Sequence, residues 1–170
     1  KNLKIAGDRF NTDIISYIRN EFKVLVGEKS AEQLKIELSN IIPSNPVRES
    51  TIRGRDLVSG LPKEIIVTEE DIHDAIHLSA DTLFESVKEV LESTPPEVVS
   101  DIMEHGIYLT GGGALIRGLD EALSEYLGIK VVVAEDPLTA VVRGTGIIAS
   151  NIEHYRDIII ENEDELSIRR

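Results

Sequence analysis

The run Ile107-Tyr108-Leu109-Thr110-Gly111-Gly112-Gly113-Ala114-Leu115-Ile116-Arg117-Gly118 carries an apolar, strand-like stretch straight into three glycines and then a helix-like stretch. Glycines at Gly111, Gly112 and Gly113 let a backbone approach a flat ring closely, and a helix N-terminus that follows favours partial negative charge. The chemistry open to such a turn is nucleotide binding, although a tight strand-to-helix connection without any ligand uses the same residue types. His73 and His77 stand at i and i+4 in His73-Asp74-Ala75-Ile76-His77, a spacing that suits zinc. The Glu of a H-E-x-x-H motif is absent and no third ligand is evident, so solvated helix histidines are the better reading and no metal site is expected. Nothing places His105 or His154 beside a Ser and an Asp as a triad requires, and no catalytic residue is assigned.

The elements that must position these groups follow from periodicity. Leu3 and Ile5 alternate as in a short strand already in progress, as in a piece cut from a longer protein, and Asp8 is a possible helix cap. Phe10, Ile14, Ile15, Ile18 and Phe22 share one helical face, with Gly27 after it. Ser30 with Gln33 resembles a capping box opening a second helix with Leu34, Leu38 and Ile41 inward. After the breakers Pro43 to Pro46, Val47 to Val58 and Lys63 to Thr68 read as a hairpin. Thr68 with Asp71 opens a long helix to about Glu92, with Ile72, Ile76, Leu83, Val87, Val90 and Leu91 inward, and Pro95-Pro96 ends it. From Glu97 the pattern is a short helix, a buried strand Gly106 to Leu109, the glycine turn, a helix Leu115 to Leu127, a strand Ile129 to Val133 and a helix Pro137 to Ile152.

That alternation is the signature of an α/β fold with parallel strands. Residues 1–25 and 96–155 are expected to form an α/β unit, with 26–95 as an inserted, smaller α+β subdomain and 156–170 as a tail. The acidic run Glu161 to Glu165 in that tail is expected to be solvated.

Composition narrows the possibilities. The chain has 170 residues, of which 41% are hydrophobic, enough for one core or two small ones. Its net charge of -13 disfavours nucleic acid or an anionic membrane as a direct partner, because phosphates are repelled. With no cysteine there is no disulfide, thiolate metal site or cysteine nucleophile, which fits a reducing compartment. No apolar run reaches the roughly 18 residues a membrane span needs, and the N-terminus lacks a signal-peptide core.

Four stretches carry a family resemblance: Ile52 to Lys63, Thr94 to Glu97, Leu109 to Gly118 and Ala134 to Thr139. With them nearly the whole chain resembles the C-terminal, nucleotide-side part of the MreB/Mbl bacterial actins, within the actin, sugar-kinase and heat-shock-chaperone ATPase superfamily. The resemblance implies an actin-like ATPase fold with the subdomains called IIA and IIB, the second being the insertion. It implies that adenosine sits between the glycine turn and an inserted-subdomain helix bearing Glu-x-x-Lys, here Glu32 and Lys35, with Ser39 four residues on. Three- and four-residue spacing keeps Glu32, Lys35 and Ser39 near one stripe, where the carboxylate can accept from ribose hydroxyls and the lysine stem can cover adenine with its ammonium wet. An exposed Glu-Lys ion pair is the plain alternative.

By match to the same family, Gly7 lies in a turn near the sugar and phosphates, and Asp136 lies beside the base. Asp136 before Pro137 is equally an ordinary N-cap with proline at the first helical position. The implied cofactor is ATP or ADP with Mg2+, but both phosphate loops and the water-orienting residue precede Lys1, so this piece is expected to be unliganded and inactive alone. The implied partners are further copies in protofilaments and a membrane-anchored adaptor, in the cytoplasm at the inner membrane face, with contact to lipid only indirect. Loss of preceding strands is expected to leave an open sheet edge. The alternatives are an actin-like scaffold that binds protein partners without nucleotide, or another ATPase of the superfamily.

Overall fold

Helix α1 (Gly7–Glu21) repeats apolar residues every three or four positions, and Phe10, Ile14 and Ile18 accordingly bury to 3%, 0% and 0% exposure. Its buried face lies against α2 (Glu28–Leu38) and α3 (Glu69–Glu92). The structure, a computed structural model, describes residues 1–3, 7–42, 44–156 and 159. Lys4 to Ala6 of the expected first strand and the acidic run Glu161 to Glu165 lie outside the described residues.

Three antiparallel strands, β1 (Val24–Leu25), β2 (Glu49–Asp56) and β3 (Pro62–Thr68), lie in that order. Ile52 faces Ile65 across the expected hairpin. Ile65 and Val67 point into the core while Ile66 between them is 56% exposed, the period-two alternation of a sheet with one buried face. Gly54 is required where β1 crosses: a Cβ there would stand 2.4 Å from Val24 Cγ1 and 2.6 Å from the Leu25 carbonyl oxygen.

The start of α3 matches its sequence pattern. The Asp71 amide donates to Thr68 Oγ1 at 3.2 Å and the Thr68 amide donates to Asp71 Oδ2 at 2.8 Å, a reciprocal capping box. The start of α2 does not. Gly27 is its N-cap, Ser30 lies inside the first turn, and Gln33 Nε2 donates to Glu37 Oε1 instead of reaching back. Gly27 is extended, with φ -89° and ψ 167°, and already presents its carbonyl to the Ser30 and Ala31 amides, so the helix begins before Ser30 can cap it.

After α4 (Pro96–His105) the chain forms a parallel pair, β4 (Ile107–Leu109) with β5 (Val131–Val133). The helices that accompany it are α5 (Leu119–Leu127) and α6 (Ala140–Ser150). Three expectations change here. The strand expected to be buried is only partly so, with Tyr108 65% exposed. The helix expected from Leu115 is split into a single 3-10 turn, Gly112–Leu115, and α5, because Ile116 is extended and Gly118 takes φ +70° before Leu119. The helix expected from Pro137 starts three residues late with Thr139 as N-cap. Asp136 has φ +46°, which is incompatible with the extended backbone of a capping residue. Among the described residues, no helix is long and apolar enough to cross a membrane.

Candidate functional site

Lys35 lies on the third turn of α2, and its ammonium reaches across to the first residue of α1. Nζ donates to Glu32 Oε2 at 2.7 Å and to the Gly7 carbonyl at 3.3 Å. The side chain is 12% exposed, and its ammonium bonds to these two oxygens. A Cβ at Gly7 would lie 3.1 Å from Nζ, so the lysine end approaches this corner closely. Glu32, Lys35 and Gly7 are therefore brought together.

Asn11, about one turn along α1 from Gly7, completes this corner by donating from Nδ2 to Glu32 Oε2 at 2.7 Å. Hydrogen bonds from Lys35 and then Asn11 hold the Glu32 carboxyl below the usual carboxylate range. Both bonds land on Oε2, and the Glu32 side chain is 45% exposed, leaving Oε1 as an acceptor turned to solvent. Asn11 itself is 4% exposed and its Oδ1 has no partner among the described residues. Sequence reasoning passed over Asn11 because a polar residue on a helix reads as surface; its place beside Phe10 and Ile14 on the buried face was the available signal.

Ser39, expected near one stripe with Glu32 and Lys35, stands just past the end of α2. It follows the last turn of α2 as C-cap, is 3% exposed, and its Oγ has no partner among the described residues. Its carbonyl accepts from Arg117 Nε at 3.3 Å, and the Glu37 carbonyl accepts from Arg117 Nη2 at 3.0 Å. The Ile41 amide donates to the Arg117 carbonyl at 2.8 Å. The C-terminal end of α2 is thus tied to the segment that directly follows the glycine turn.

In that turn Gly111 takes φ +84°, and no atom lies within 4 Å of where a Cβ would stand on Gly111 or Gly113. Gly112 and Gly113 are exposed, and their amides donate to no acceptor among the described residues. The Gly111 amide donates to the Pro137 carbonyl at 2.8 Å, which brings the turn after β5, and Asp136 with it, to the glycine turn. Asp136 accepts a hydrogen bond from Thr139 Oγ1. The arrangement offers a backbone ledge with two unused N–H donors, as a ring or anion contact needs.

His73 and His77 stack at 5.9 Å, each with Nδ1 engaged, to Asp74 Oδ1 at 3.5 Å and to the Asp74 carbonyl at 2.8 Å respectively. Among the described residues no group of three or more His, Cys, Asp or Glu side chains is placed to hold a metal.

Comparison with known proteins places the chain as a whole. The profile of the family described as MreB/Mbl protein matches residues 1–157. The chain is 43% identical over 152 residues to the cell shape-determining protein Mbl of Bacillus subtilis (strain 168), covering 89% of this chain and 46% of Mbl. It is 44% identical over 161 residues to the cell shape-determining protein MreB of Escherichia coli (strain K12), covering 94% of this chain and 46% of that one. The crystal structure of MreB5 of Spiroplasma citri bound to ADP superposes with a TM-score of 0.86 at 37% identity, over 91% of this chain and 47% of MreB5. The MamK double helical filament, at 23% identity and a TM-score of 0.69 over 87% of this chain and 45% of MamK, shares the fold. The fold is actin-like, and the chain spans about half the length of the relatives it matches. With 157 of its residues under one family profile and over 40% identity to both Mbl and MreB, the chain belongs to the MreB/Mbl protein family.

Proposed function

We propose that this chain supplies the adenosine side of the nucleotide site in a filament-forming, cell-shape-determining bacterial actin. Glu32 and Lys35 on α2 form one wall, with Ser39 buried at the end of that helix, and Gly111, Gly112 and Gly113 form the other, with Gly7 and Asp136 at the margins. The observation that carries this reading is the Lys35 corner: its ammonium anchors Glu32 at 2.7 Å and leaves Glu32 Oε1 on the exposed side, as an acceptor for ribose hydroxyls. The exposed amides of Gly112 and Gly113, and the space over Gly111 and Gly113, fit the approach of a flat base. The ADP bound by MreB5 of Spiroplasma citri supports the ligand class.

In this reading the phosphates and Mg2+ are held by loops outside this sequence, so the chain alone does not hydrolyse ATP. Residues 96–155 act as the α/β subdomain and 26–95 as the insertion, while α1 and β1 of residues 1–25, expected within the α/β subdomain, pack against the insertion. The whole protein assembles into protofilaments at the inner face of the membrane, organises wall synthesis and meets a membrane-anchored adaptor. Titration of the 15N-labelled chain with ADP tests the pocket. Shifts confined to Gly111–Gly113 and Glu32–Ser39 are expected, and Lys35→Ala should weaken them about tenfold, a loss of about 1.4 kcal/mol. No shift at millimolar ADP would leave a scaffold that binds proteins without nucleotide.

A further inference from the structure

Glu69 is the first residue of α3, yet its side chain is 3% exposed and it stands where three parts of the chain meet. Asn40 Nδ2 donates to its Oε1, and Ser44 Oγ donates to its Oε2. The Arg48 amide donates to Oε2 at 3.4 Å, and the two guanidiniums of Arg48 and Arg117 flank the carboxylate at 3.8 Å and 4.0 Å. Burial pushes this carboxyl up, but hydrogen bonds from Ser44, Asn40 and the Arg48 amide outweigh it and bring it below the usual range, so the group is an anion. Glu69 is the buried member, and it is the one that is costly to leave unpaired; Arg48 and Arg117 reach it from more exposed positions, with side chains 44% and 37% exposed.

The two arginines do the same thing at the end of α2. Arg48 and Arg117 both donate to the Glu37 carbonyl, and Arg117 also donates to the Ser39 carbonyl. Asn40 is paired in parallel with Arg117, and a Cβ on Gly118 would stand 3.0 Å from Ile42 Cγ1, so the two segments are in close contact. Resting on the adenosine-site reading, we infer that Glu69 and Arg117 form a latch that sets the spacing between the two walls of that site, with Glu69 a positioning residue acting through Arg117. Helix α2 carries one wall, and Arg117 follows the other by four residues; Arg117 and the Ile41 amide tie the two directly, and Glu69 stands 4.0 Å from the Arg117 guanidinium that makes the tie.

The Ile41 amide, bonded to the Arg117 carbonyl, reports the junction without reference to nucleotide. In Glu69→Gln, hydrogen exchange at Ile41 should accelerate at least about tenfold while the β2–β3 ladder keeps its protection. The ADP-induced shifts at Gly111–Gly113 and Glu32–Ser39 should weaken by a comparable factor. Arg117→Lys, which keeps the charge and loses the planar fork, should give the same pattern, and the double variant should add little to either single one. Exchange rising uniformly across the ladder and Ile41, or a selective opening at Ile41 with ADP response unchanged, overturns the latch. If the wild-type chain shows no ADP response at all, the adenosine-site reading falls, and with it the positioning role, whereas unchanged exchange at Ile41 in both variants sinks the latch alone.

Discussion

The two sheets are surrounded differently. Around β1–β3, helices α1, α2 and α3 close over a core in which Ile14, Ile18, Leu34, Ile72, Ile76, Val24 and Val67 are fully buried. Around β4–β5, the buried positions are chiefly Ile116, Leu119, Leu123 and Val131, and neither α4 nor α6 buries a single residue. Helix α6 is nonetheless the more apolar in composition, with Val141 and Val142 70% and 66% exposed. Apolar content therefore does not locate the core of this chain; a facing partner does, and the hydrophobic contribution follows area removed from water.

Paired truncations give the sharpest break of this comparison. Ile76→Ala, in the contact between α3 and its neighbours, should cost about 2–5 kcal/mol in urea unfolding, while Ile147→Ala on α6 should change stability by no more than about 0.5 kcal/mol. Equal losses at both sites would show that α6 is packed after all. Glycine substitutions give an intermediate effect of opposite sign. Gly54→Ala must displace Val24 or the Leu25 carbonyl and should destabilise by about 1–3 kcal/mol, whereas Gly146→Ala, with nothing within 4 Å, should stabilise by about 0.5–1 kcal/mol through helix propensity.

The smallest effect lies at the hairpin tip. Asp56 Oδ1 accepts from the Val58 and Ser59 amides at 2.9 and 2.7 Å, and Lys63 Nζ stands 3.2 Å from Oδ2. The Ser59 amide first, and then Lys63, pull the carboxyl from 3.8 down to about 2. Because the folded value lies below the unfolded one, this contribution is complete above the ordinary carboxylate range and is lost as pH falls towards about 2. The Ser59 amide resonance followed from about pH 5 to about pH 2 should move with that titration, and Asp56→Asn should remove the dependence.

Elements whose signals are local were legible in the sequence. The Thr68–Asp71 capping box, the hairpin between Glu49 and Thr68 and the buried stripe of α1 each depend on residues within a few positions of one another. Elements whose boundaries are set from elsewhere were not. The late start of α5 follows from the packing of Gly118 against Ile42 and Asn40, and the late start of α6 from a backbone turn at Asp136 that accompanies the Gly111–Pro137 bond. The candidate site divides the same way. The spacing of Glu32 and Lys35 on α2 announced their pairing, but the roles of Asn11, Glu69 and Arg117 rest on partners 21, 29 and 78 positions away. No periodicity encodes such distances.

Helix α3 has 24 residues, and so a length of about 36 Å. Its N-terminal end is pinned by the Thr68 box, while near its other end Tyr126 of α5 donates to Glu85 and packs against Phe84 with ring centroids 5.8 Å apart and the ring planes tilted by 39°. Helix α3 therefore joins the hairpin sheet to α5, the helix that follows the glycine turn.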